Sequence, residues 1–85
     1  MDKQTLVATW RPARSPAPAP TLVLVHGLDS TRFTWNRFIA ATPSSWNTIA
    51  LDLRGHGESP LGNAAMFNAS NVARDIHHTL HNHVW

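Results

Sequence analysis

The run Thr21-Leu-Val-Leu-Val25 carries no charge and no polar alternation, and it breaks off at His26-Gly27. A strand with one face in water alternates between apolar and polar residues. An uninterrupted run is expected of a central parallel strand covered on both faces. The glycine that follows allows a sharp backbone turn, which exposes the next amide N–H, that of Leu28, at the carboxyl end of the strand.

The neighbouring segments extend this reading. Gln4 to Trp10 is β-prone but only loosely alternating, as befits an edge strand. Pro12, Pro16, Pro18 and Pro20 then impose an extended polyproline II connector at the surface. After the His26-Gly27 loop, Trp35, Phe38, Ile39 and Thr42 share one helical face, and Pro43 ends that helix. A second strand is expected from about Thr48 to Leu53. The segment Arg54 to Asn63, with three glycines and a proline in ten residues, is too interrupted for regular structure. Asn68 can cap a last helix whose apolar stripe is Val72, Ile76, Leu80 and Val84.

The order of strand, connector, strand, helix, strand, glycine loop and helix defines an α/β protein with a parallel sheet and right-handed crossovers. Residues 1–20 form an edge strand and Pro-rich connector, and residues 21–85 the α/β portion. At 85 residues the chain supports at most one domain. Its 42% apolar content excludes a wholly disordered chain, and no run is long enough to span a membrane. Seven Lys and Arg are dispersed against five acids, so no basic stripe points to nucleic acid. Cysteine is absent, which removes disulfides and thiolate metal sites, and the polar N-terminus does not read as a signal peptide. A cytoplasmic location is the default expectation.

In open α/β sheets, sites form outside the carboxyl ends of the strands. His26-Gly27-Leu28 sits at one such end and Asp52-Leu-Arg-Gly-His-Gly-Glu-Ser59 at the next. Together these two motifs, over Thr21 to about Ser59, resemble the opening half of an α/β-hydrolase domain, and the family's next helix extends the resemblance to Trp85. It implies that the Leu28 amide is one of two donors to the tetrahedral intermediate of a serine hydrolase acting on a carboxylic ester, thioester or similar small acyl substrate. His26 and Gly27 then shape the oxyanion loop. Asp52, Arg54, Gly55, His56, Gly57 and Ser59 form the structured turn beside the active site, with an architectural role. No cofactor is implied. The absence of Pro two places after His26-Gly27 disfavours the branches with an Asp nucleophile, the epoxide hydrolases and haloalkane dehalogenases.

The departures from the family pattern are equally specific. Its chemistry needs a nucleophile on a G-x-S-x-G elbow, then an acid, then a histidine, in that order. None of the three can be identified here. Ser59 follows Gly57 by two residues, but Pro60 comes next and has no N–H to serve as the second oxyanion donor. Ser59 reads as a loop cap. The chain reads as the N-terminal portion of a hydrolase that stops one strand before the nucleophile, and the Thr21–Val25 strand is expected to keep one unpaired edge. A non-enzymatic binding protein on the same fold, or a degenerate fragment, is the alternative.

Other patterns carry less. His77 and His81 have the i, i+4 spacing of a helical metal pair, but no third ligand is evident and no metal site is assigned. The Gly55-His-Gly57 stretch lacks the third glycine of a dinucleotide loop, since Pro60 occupies that place. Trp10, Trp35, Trp46 and Trp85 are expected to serve packing.

Overall fold

A computed structural model describes residues 3–15 and 18–83. The chain forms strand β1 (Ala8–Arg11), strand β2 (Thr21–Val25), a 3-10 turn (Arg32–Trp35) leading into helix α1 (Asn36–Ala41), strand β3 (Asn47–Leu51), a second 3-10 turn (Ala64–Met66) and helix α2 (Ala69–His83). The fold is mixed α/β around one open three-stranded sheet of order β1-β3-β2. Strands β2 and β3 are parallel, with Val23 opposite Ile49, while β1 runs antiparallel to β3, with Trp10 opposite Ile49.

The centre of the sheet is β3, not β2. Thr48, Ile49, Ala50 and Leu51 are all at most 1% exposed, whereas β2 is half-buried apart from Leu24 and ends exposed at Val25. The uninterrupted apolar run of β2 suits a covered strand, but among the described residues only one of its edges has a partner. Centrality depends on neighbours, and these are not encoded in the strand itself.

The N-terminal strand is shorter than its β-prone sequence suggests, because residues 4–7 bond to side chains instead of a ladder. The N–H groups of Gln4, Leu6 and Val7 donate to Asp75 Oδ1 (3.0 Å), Thr79 Oγ1 (2.8 Å) and Ser59 Oγ (2.9 Å). Regular pairing begins at Ala8. The proline connector is also tied down: Ala13 N–H donates to Asn47 Oδ1, and Asn47 N–H to the Pro20 carbonyl. Pro16 lies outside the described residues.

Side chains on one face of β3 meet α2. Leu6, Ile49, Leu51, Leu53 and Leu80 form the core, with Ala8, Val23, Val72 and Ile76 packed against it. The stripe read from the sequence is therefore the packing face, and Val84 lies outside the described residues. Asn68 Oδ1 accepts from the Asn71 N–H at 2.9 Å, the side-chain cap expected at that helix start. Helix α1 differs from expectation. Only six residues long, it buries none of them, and Phe38, from the proposed packing face, is exposed. Trp35 belongs to the preceding 3-10 turn, where its ring meets that of Phe38 edge to face, with centroids 5.8 Å apart. Thr42 turns to ψ 136°, as a residue before proline must, and Arg11 donates to the Ile39 carbonyl at 2.8 Å, placing a cation at the helix C-terminus. The described tryptophans stay at the margins: Trp10 is exposed, and Trp35 and Trp46 are half-buried.

Candidate functional site

The carboxyl ends of β2 and β3 lie side by side, with Val25 opposite Leu51. The residues that follow, 26–32 and 52–59, are therefore neighbours in space. His26 is buried and links the two loops: its Nε2 accepts the Leu53 N–H at 3.1 Å, and its Nδ1 lies 2.6 Å from the Gly27 carbonyl. Because Nε2 accepts, the ring proton resides on Nδ1 and is donated to Gly27.

Leu28 follows, 77% exposed, and among the described residues no hydrogen bond takes up its N–H. Gly27 does not adopt a positive φ, and a Cβ there would meet nothing within 4 Å. The left-handed residue in this loop is Asp29, at φ 58°. Aspartate tolerates that region better than most side chains, because its short polar group bonds locally.

Asp52 organises the second loop. Its carboxylate is wholly buried and accepts the N–H of Arg32 at 2.6 Å, the N–H of Glu58 at 2.9 Å, and the Arg32 guanidinium. Burial pushes this carboxyl up, but the N–H groups of Glu58 and Arg32, with the guanidinium's hydrogen bond and charge, outweigh it and hold the group below its ordinary value. For Arg32, burial lowers the guanidinium while bonds and charge from Glu58 and Asp52 raise it, and the net direction is up. Gly57 is required at its position. Its φ is 51°, and a Cβ would stand 2.3 Å from Asp52 Oδ2. A side chain at Gly57 would displace the carboxylate around which the loop is wound.

Ser59 is buried and fully engaged. Its Oγ donates to the Asp52 carbonyl at 2.7 Å and accepts the Val7 N–H at 2.9 Å. Arg54, 1% exposed, reaches in the other direction, donating through Nε and Nη2 to the two oxygens of Asp75 on α2, at 2.7 and 2.8 Å. Gly55 sits at φ 76° and donates to the carbonyls of Ser59 and Pro60. His56 is half-buried beside His26, ring centroids 4.9 Å apart, with Nδ1 at 3.1 Å from the Arg54 carbonyl and Phe67 beyond. The two sequence motifs thus come together in space.

Arg32 and Asp75, which bind Asp52 and Arg54, did not stand out in the sequence. Asp75 had a readable signal: with Thr79 it falls between Val72, Ile76 and Leu80 on the inward face of α2, where an acid needs a buried partner. Arg32 had none, since its partner lies 20 residues away. The α2 histidines are elsewhere. His77, His78 and His81 line a groove of about 680 Å³ with Lys3, Ser70 and Arg74, and the His77 and His81 rings stack at 6.4 Å. Among the described residues no three potential ligands converge to hold a metal.

No family model matches the chain. In an alignment 78 residues long that covers 89% of the chain, it is 35% identical to protein phosphatase methylesterase 1 of Bos taurus and 33% identical to that of Homo sapiens. It is also 32% identical over 68 residues to an uncharacterised protein of Mycobacterium tuberculosis. The chain spans about a fifth (20%) of the length of the curated relatives it matches. Its similarity is therefore to one segment of methylesterases, which are hydrolases.

Proposed function

We propose that this chain carries the first oxyanion-donor loop and the adjoining structural turn of an α/β-hydrolase-type serine hydrolase acting on a carboxylic ester. The observation that supports this reading best is Leu28, an exposed residue just past the carboxyl end of a parallel strand whose N–H meets no acceptor among the described residues, within the stretch similar to methylesterases. In such a reaction the ester carbonyl oxygen gains negative charge as the nucleophile adds. A prepositioned N–H at that point stabilises the tetrahedral intermediate. His26 and Gly27 form the approach to that donor, and Asp52, Arg54, Gly55, His56, Gly57 and Ser59 the turn that supports it. The relatives named as methylesterases favour a methyl ester on a protein as the substrate class.

The nucleophile, acid and catalytic histidine of this proposal come from outside these 85 residues, which hold no G-x-S-x-G. Ser59 is unsuited to the nucleophile's role, with both hydrogen-bonding capacities of its hydroxyl in use. The 85-residue chain alone should hydrolyse p-nitrophenyl acetate no faster than an equal concentration of free imidazole. Saturable, much faster turnover would overturn this division of labour.

The decisive experiment grafts the chain in place of the matching segment of the bovine methylesterase. The chimera should hydrolyse methyl esters, and Leu28→Pro, which removes the donor, should lower turnover by roughly 10²–10³-fold. Leu28→Ala keeps the N–H and should keep most activity. Equal turnover of the Pro and Ala variants, both folded by circular dichroism, would remove Leu28 from the mechanism.

A further inference from the structure

We infer that Arg32 is a positioning residue for the Leu28 loop, bracing residues 27–31 against the turn from Asp52 to Glu58. The loop is an unpromising one to hold still. Leu28 and Asp29 are exposed, Asp29 is left-handed, and nothing crowds Gly27. Its shape must be fixed from its ends. At one end His26 takes the Leu53 N–H, and at the other Arg32 gives its own N–H to Asp52, so both anchors fall on consecutive residues at the end of β3.

The Arg32 side chain then adds a three-way brace. Nε donates to Thr9 Oγ1 on β1 at 2.8 Å, Nη1 pairs with Asp52, and Nη2 donates to Glu58 Oε1 at 2.7 Å. Main chain and side chain of one residue thus grip the same buried carboxylate, which fixes both the position and the rotation of the loop's end. The Phe33 ring, 4.3 Å from the guanidinium carbon, covers the pair. The three acceptors are met from three different nitrogens of one rigid plane. A lysine ammonium keeps the charge and three donors but carries them on a single nitrogen, so it cannot reproduce the three bonds at once.

The structural part of this inference stands by itself, and its catalytic consequence rests on the proposed role of Leu28. Hydrogen exchange on the 85-residue chain tests the first. Arg32→Lys should speed exchange of the amides at positions 32 and 58, both of which donate to the Asp52 carboxylate, by roughly tenfold, as expected when one or two net hydrogen bonds are lost, while the β3 and α2 amides keep their rates. Glu58→Gln, which weakens the more exposed arm, should give a smaller change at the same two amides. Unchanged exchange at 32 and 58, or an equal rise everywhere, would overturn the brace.

Kinetics of the methylesterase chimera test the second. Arg32→Lys should lower kcat by roughly 10- to 100-fold, the scale of a misplaced donor, with KM nearly unchanged. A fall in Leu28→Pro without one in Arg32→Lys overturns the catalytic consequence and leaves the oxyanion reading intact. No fall in Leu28→Pro overturns that reading, and the exchange result alone then decides the brace.

Discussion

Toward α2, Ile49, Leu51 and Leu53 are buried against Leu80, whereas around α1 the rings of Phe33 and Phe38 remain 52% and 49% exposed. Both helices follow parallel-sheet strands and both show an apolar stripe in sequence. They differ in length and in polar anchorage. Helix α2 has 15 residues and is joined to the rest of the chain through the Asp75 carboxylate and the Thr79 hydroxyl. Helix α1 has six residues and is anchored through carbonyls at its C-terminal end, which accept from Arg11. An amphipathic pattern states what a helix can bury. Whether it does so depends on a surface to meet and on contacts that fix its axis.

The α2 side is most vulnerable at Asp75. Asp75→Asn removes the carboxylate that the buried Arg54 guanidinium binds through two of its nitrogens and should destabilise by roughly 3–5 kcal/mol, enough to abolish a cooperative urea transition in a chain of this size. Replacing both members together, Arg54→Met with Asp75→Leu, should cost much less, since the two charges leave the interior at once. Apolar truncation sharpens the contrast next. Leu80→Ala should cost about 2–5 kcal/mol and Phe38→Ala within about 0.5 kcal/mol, measured as urea midpoints. Equal losses would mean that the α1 side is as well packed as the α2 side.

Acid should act on the Asp52 loop. Its folded-state carboxyl lies below the ordinary value near 3.8, so its contribution is present in full above that pH and is lost as pH falls through the depressed folded value. Stability measured between about pH 5 and 2 should therefore decline more steeply in the native chain than in Asp52→Asn, which has no proton to take up there. Parallel slopes would remove Asp52 from the acid transition.

The smallest change in stability is expected at the open edge of β2. The run Thr21–Val25 has no charge, Pro or Gly to deter pairing with another chain, so the 85-residue polypeptide should self-associate in sedimentation experiments. Val25→Lys places a charge at the exposed end of that strand. It should raise the monomer fraction while shifting the melting midpoint little, and an unchanged monomer fraction would point to a different contact.

Much of the element order was legible because it rests on local chemistry. Pro43 forces Thr42 out of the helix, Asn68 caps α2, and glycine at positions 55 and 57 supplies the positive φ that the turn needs. The two loops of the candidate site were legible as strand ends followed by glycine, and the structure places them together. What sequence could not supply were relations across distance. The buried ion pairs join residues 20 and 21 positions apart. The ranking of β3 over β2 in burial follows from which strand has two neighbours, and Thr48, polar yet wholly buried, gives no local hint of it. The left-handed backbone at Asp29 was not legible either.

The bond from the Leu6 amide to the Thr79 hydroxyl closes a separation of 73 residues, and this bears on how the chain acquires its shape during synthesis. At about 5–20 residues per second a ribosome needs roughly 4–15 s to pass from one partner to the other. Throughout that interval residues 4–7 have been made but have no helix to receive their N–H groups, even after β3 has been added at Leu51. Once outside the ribosome, an apolar stretch containing Leu6 and Val7 must then wait for α2, which makes this the period when other nascent chains or a chaperone can reach it first.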